Sequence, residues 1–167
     1  MYKRQKFYQL QQFDRLIEEQ ITKIYEDAKG NIWIGTQADG VIKINDGVAT
    51  HYKKQNGLIS NEISEIIEDN DGLIWFGSSS SGLCSFDGST FTHYTKENGL
   101  YSNKIWSSTK DKQGNLFFGT WGSGLIKYDG EYFSNITEKE CLNGAVILSS
   151  FTCLAQHLFA SNQASWP

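Results

Sequence analysis

The sequence holds a single proline, Pro167, so nothing inside the chain interrupts the backbone pairing that strands require. No stretch approaches the ~20 consecutive apolar residues that a membrane-crossing helix needs, which excludes such a helix. The three cysteines, Cys84, Cys141 and Cys153, are an odd number without metal-site spacing, so a reducing compartment is expected rather than a disulfide framework. The opening "MYKRQKFYQLQQFDRL" is positively charged, but no continuous apolar run follows it. It does not read as a secretory leader, and the expected location is cytoplasmic. Basic runs are lacking beyond "YKRQK" and the net charge is −4, which argues against nucleic acid as the main partner. Phosphate loop, dinucleotide fingerprint and nucleophile elbow are all missing, so no cofactor and no catalytic residue is expected.

What is present is aromatic: 14% of the residues are Phe, Trp or Tyr, a composition that suits strands rather than disorder. One phrase, "EDNDGLIWFG" from Glu68 to Gly77, contains Asp-x-Asp-Gly and raises the question of a calcium loop. Such a loop needs an oxygen ligand at its first position and a bidentate Glu at its twelfth. With Gly72 at the glycine position, Ile67 and Ser78 stand there instead, and the apolar run that follows is no amphipathic helix. No metal site is expected.

The same phrase recurs as "EDAKGNIWIG" from Glu26 and "KDKQGNLFFG" from Lys110, with Gly30, Gly72 and Gly114 spaced 42 residues apart. Asp27, Asp69 and Asp111 share that offset, as do Trp33, Trp75 and Phe117, and Gly40, Gly82 and Gly124. "THYKKQNGLISNEI" and "THYTKENGLYSNKI" extend it through Asn56 and Asn98, and Asn61 and Asn103. Three full repeats therefore occupy 21–62, 63–104 and 105–146. Each reads as four short strands, A to D, with the Asp-x-x-Gly phrase as the hairpin turn between A and B. The turn Asp accepts from backbone N–H groups two residues on, and the Gly supplies a positive φ. Strand B is apolar on both faces, so each sheet must be covered on both sides. Four strands per repeat at this period describe an all-β fold, a β-propeller of four-stranded blades. Trp33 and Trp75 are expected to wedge between blades.

These residues also resemble a family. The pattern Ile-x-x-Ile-x-x-Asp-x-x-Gly-x-(Ile/Leu)-Trp-x-Gly-Thr, followed by Gly-Leu-x-x-x-Asp and Asn-Gly-Leu-x-x-Asn, is similar to the two-component regulator propeller repeat. That resemblance covers 21–136, and weakens beyond it where Glu140, Cys141 and Leu142 replace Asn-Gly-Leu. It implies a sensor-type propeller of bacterial hybrid two-component systems that recognises saccharides. The kinase, receiver and DNA-binding parts of such systems are absent from this sequence.

In a propeller the B–C and D–A connections emerge on one face, here called the upper face, and residues there that differ between repeats are the candidates for ligand contact. Trp121 stands where the other repeats have Gln37 and Ser79, and Trp106 where they have Thr22 and Ser64. A Trp ring can stack on a sugar while its N–H makes a hydrogen bond, and filling space between blades is the alternative role of both. The weaker candidates are Gln37, Asp39, Asn56, Asn98 and Asn103, the asparagines having turn duty as their alternative role. His51 and His93 fall in strand D and are expected to be surface cross-strand residues. The lone His157 aligns with Asn31 and Asn115 of the A–B turns.

Two functions follow. One is a non-catalytic module, sensor-like, binding a saccharide, a small polar ligand or a protein. The other is a carbohydrate-active hydrolase or lyase, which would need two convergent carboxylates. Asp39 and Glu62 are the acids that fall on the upper face of the first repeat, while serines replace Asp39 in the other two and Lys104 replaces Glu62. The first function is expected. Residues 1–20 map onto the end of a repeat and 147–167 onto the beginning of one, as the halves of a split blade. One chain then supplies about four blades, and a homodimer in which two chains exchange those halves closes as an eight-bladed ring, which is the preferred arrangement.

Overall fold

The computed structural model describes residues 20–136, and they form twelve strands in three four-stranded antiparallel sheets. The first sheet holds β1 (Ile21–Glu26), β2 (Ile32–Thr36), β3 (Val41–Asn45) and β4 (Val48–Tyr52) in sequence order. The second holds β5 (Glu65–Glu68), β6 (Ile74–Ser78), β7 (Gly82–Phe86) and β8 (Phe91–Tyr94). The third holds β9 (Ile105–Lys110), β10 (Leu116–Thr120), β11 (Leu125–Tyr128) and β12 (Phe133–Ile136). The all-β, four-stranded architecture predicted by the 42-residue repeat is the one observed. The halves of the split blade lie outside the described residues, Gln20 excepted.

Each A–B hairpin is organised by its aspartate. In the first, one oxygen of Asp27 accepts the backbone N–H of Lys29 and of Asn31, at 3.0 and 2.8 Å. The other accepts the Asn31 amide at 2.7 Å and the Trp33 indole N–H at 2.8 Å. Asp69 does the same for Asp71, Leu73 and the Trp75 indole. Asp111 accepts from the backbone of Gln113 and Asn115 and from the Asn115 amide. No ion is needed in these turns, because backbone and side-chain donors fill the carboxylate.

Alternation along the second strand of each sheet then builds the core, since successive residues face opposite sides. Trp33 leaves the first sheet toward the second, where its ring lies 5.6 Å from Phe76 and 6.1 Å from Phe86 between centroids. Ile74 and Phe76 face back toward it, and Trp75 faces forward onto Phe118, Tyr128 and Phe133 of the third sheet. Trp33 and Trp75 are almost wholly excluded from solvent. Each is therefore a wedge between neighbouring blades, as the repeat predicts.

The first strands of the sheets are joined by side chains. Thr22 Oγ1 donates to the carbonyl of Ile63, and Ser64 Oγ to the carbonyl of Ile105 at 2.7 Å. One step along, Glu65 Oε2 lies 2.8 Å from Lys23 Nζ and accepts from Ser108 Oγ at 2.7 Å, so a single carboxylate ties three blades.

Replacing a buried Trp by Ala costs about 3–5 kcal/mol. Trp75→Ala is expected to lower the melting temperature sharply in thermal denaturation, and an unchanged value would remove the wedge assignment.

Burial pushes the Asp27 carboxyl up, but donation from Trp33, Asn31 and the backbone of Asn31 and Lys29 outweighs it and holds the group below its usual range. Its contribution to stability is therefore present above about pH 4, where the unfolded carboxyl is ionised, and is lost as pH falls through the lower folded value. Denaturant titrations at a series of pH values should show Asp27→Asn less stable at pH 7 and its stability flatter with pH below about 4. Some slope remains, because backbone N–H donation lowers Asp87 and Asp129 as well. An acid limb as steep as the parent's would remove this role.

Candidate functional site

In the first two blades the upper face is assembled by the contact of the B–C connection with the D–A connection of the same blade. Gly40 donates its N–H to the carbonyl of Asn61 at 2.8 Å, and Gly82 to that of Asn103 at 2.9 Å. Both glycines have positive φ, and a Cβ on either would sit 2.2 or 2.4 Å from the carbonyl oxygen of Tyr52 or Tyr94. Only glycine tolerates that conformation and that approach together.

The asparagine candidates serve the same scaffold. Asn56 Oδ1 accepts the N–H of Lys53 at 3.0 Å, and Asn98 Oδ1 accepts that of Thr95, closing the 3-10 turns Lys54–Asn56 and Lys96–Asn98. Asn61 and Asn103 accept the N–H of Lys54 and Lys96, each at 2.8 Å. The Asn98 amide donates to the His93 carbonyl at 2.9 Å.

The two upper-face acids are also engaged. Asp39 pairs with Lys53 and lies 3.3 Å from His51 Nε2, whose ring also meets the Asp39 carbonyl. Glu62 accepts from Ser79 Oγ and, at 3.4 Å, from Ser80 Oγ. The histidines thus do more than line strand D as cross-strand residues. His51 reaches the B–C connection, and His93 Nε2 lies 2.7 Å from the Gly57 carbonyl of the preceding D–A connection. Gln37 is exposed, and its backbone N–H bonds the Gln20 carbonyl at 2.9 Å.

Trp106 and Trp121 come together. Their ring centroids are 5.5 Å apart, the rings tilted by 40°, and they are 55% and 65% exposed where Trp33 and Trp75 are at most 1% exposed. The cause is a bulge. In the β9–β10 ladder Ile105 pairs with Thr120 and Ser107 with Gly119, leaving Trp106 as the extra residue. A bulge turns its residue out of the regular alternation. Thr22 occupies the matching irregularity of the first sheet and uses it to clasp the next blade. Trp106 has no hydroxyl for that clasp and presents its ring to Trp121 instead. Trp121 is held by its own N–H, which donates to the Lys104 carbonyl at 3.0 Å.

Tyr101, 45% exposed, lies on the same D–A connection, at the position of buried Ile59. Neither Tyr101 nor Lys104 was among the expected ligand residues, although each departs from its counterpart in the preceding repeat. Cys84 is buried on β7, and burial pushes its thiol up to about 12, so it is no nucleophile at neutral pH. Among the described residues no group of three or more His, Cys, Asp or Glu is placed to hold a metal ion.

Four-stranded antiparallel blades, packed face to face by residues of their second strands, define a β-propeller. Residues 15–38 and 57–80 match the family "Two component regulator propeller", so the chain carries repeats of that kind. No curated protein matches the sequence. Among solved structures, the extracellular domain described as that of a hybrid two component system of B. thetaiotaomicron is 26% identical, with a TM-score of 0.67 over 76% of this chain and 18% of its own. The extracellular domain of a one component system of the same organism is 24% identical, with a TM-score of 0.55 over 66% of this chain and 16% of its own. Virginiamycin B lyase from Staphylococcus aureus shares the fold at 20% identity, with a TM-score of 0.55 over 69% of this chain and 40% of its own. The chain thus spans less than a fifth of these two extracellular domains.

The likeness to extracellular domains overturns the cytoplasmic location expected from the sequence. That expectation rested on a leader not being seen and on an odd count of three cysteines. A buried thiol such as Cys84 is protected by packing rather than by a reducing compartment, so the cysteine count carries no such weight.

Proposed function

We propose that the chain is a non-catalytic binding module of the extracellular sensor kind, and that its ligand is a saccharide stacking on Trp106 and Trp121. The observation that carries this reading is the exposed ring pair. Water contact at two adjacent Trp rings is unfavourable unless something covers them, and a sugar offers C–H groups for the ring faces and hydroxyls for the indole N–H. The repeat supports it too, since these are departures from a scaffold whose recurrent residues are occupied in holding it together. The hydrolase or lyase alternative finds less support: Asp39 and Glu62 are tied to Lys53 and to serines, and the lyase likeness is one of fold.

A glycan array is expected to return a saccharide hit, and Trp121→Ala to weaken its binding at least tenfold by calorimetry while leaving the melting temperature unchanged. An array without hits, or a hit indifferent to Trp121, would remove the reading.

The oligomeric state belongs to the same proposal: a homodimer completing an eight-bladed ring, because side chains packed between blades adapt to a small change in blade angle more readily than to the large one a four-bladed ring requires. Light scattering should give twice the chain mass of 18.9 kDa, and a mass near one chain would sink the dimer.

A further inference from the structure

Resting on the saccharide reading, the charges around the ring pair narrow the ligand class. Where the first repeat meets the second, the side chains at positions 62 and 79 touch, Glu62 accepting from Ser79. The offset of 42 carries this pair of positions to 104 and 121, which the backbone bond from Trp121 to Lys104 holds together where the second repeat meets the third. A Glu beside a hydroxyl has there become a Lys beside an indole.

Among the described residues Asp39 and Glu62 do not neutralise this Lys. Asp39 is paired with Lys53 and His51, and Glu62 is occupied by Ser79 and Ser80. Ser81 and Ser123 stand at the counterparts of Asp39, so the second and third blades offer no acid at that position. Lys104 is exposed and makes no ion pair among the described residues. An ammonium on a flexible stem, on a residue whose carbonyl is bonded to Trp121 and with no counter-ion among the described residues, suits a ligand that brings both a sugar ring and a negative charge.

We infer that the ligand is an anionic saccharide, its ring stacked on Trp121 and Trp106 and its carboxylate or sulfate held by Lys104. The exposed ion pair adds little binding, and the rings supply most of it. Lys104 therefore acts mainly in specificity, separating charged from neutral sugars of the same shape.

The test measures binding of the full chain to a panel of oligouronides, their neutral methyl esters and sulfated oligosaccharides. At low salt the free acids should bind about three- to fivefold tighter than the esters, a difference that added salt erodes. Lys104→Gln should erase the difference, Lys104→Arg should keep it, and Trp121→Ala should abolish binding of acid and ester alike. Lys104-dependent binding confined to the sulfated sugars would uphold the inference with sulfate as the anion. Equal binding of acid and ester, unmoved by Lys104→Gln but lost in Trp121→Ala, would overturn the anion and leave the saccharide. No binding to any of the three by folded protein would overturn both.

Discussion

The bond from an indole N–H to a turn carboxylate, Trp33 to Asp27 and Trp75 to Asp69, is the constraint on which the first two blades depend. A Trp large enough to fill the gap between two sheets carries one polar atom, and burying that atom without an acceptor would offset part of what the ring contributes. The carboxylate that accepts it also gathers the backbone donors of the hairpin. Turn, strand pairing and blade packing are thus set by one side chain. In the third blade Phe117 takes the Trp position and brings no N–H, and Asp111 turns its second oxygen to the Asn115 amide alone. The hairpin persists without the indole because its backbone half is unchanged.

The fold was legible because the period repeats every feature that the architecture needs. Asp27, Gly30 and Trp33 recur together, and the alternation of Ile74, Trp75 and Phe76 declares a sheet covered on both faces. The indole partner was not legible: whether a ring six residues along a hairpin points its N–H back at the turn depends on a side-chain torsion. The same holds for His93, whose bond to Gly57 joins residues 36 positions apart. Both couplings exist only after the chain has folded.

For the upper face, the signal lay in departures rather than in chemistry. Trp106 and Trp121 stand out against Thr22, Ser64, Gln37 and Ser79, and they meet in space. Asn56, Asn98 and Asn103 recur between repeats, and their side-chain oxygens are taken by backbone N–H groups. A polar residue kept at one position in successive blades serves what those blades share. The bulge that presents Trp106 could not be read, because a bulge is a fault in pairing register and leaves apolar periodicity intact. Compartment was misread for a different reason: the interior of a propeller blade is built alike on either side of a membrane.

The wedges also give the chain a direction. Trp33 is covered by residues of the second sheet and Trp75 by residues of the third, so each of the first two blades is sealed by the one that follows it in sequence. The ring that covers Trp33 at Phe86 lies 53 positions further along. During synthesis, which proceeds from the N-terminal end, a hairpin can form as soon as its own turn emerges, yet its largest apolar ring stays wet until most of another blade has been made. A nascent blade is therefore committed in its backbone before it is committed in its core, and its sticky side always faces the portion not yet delivered.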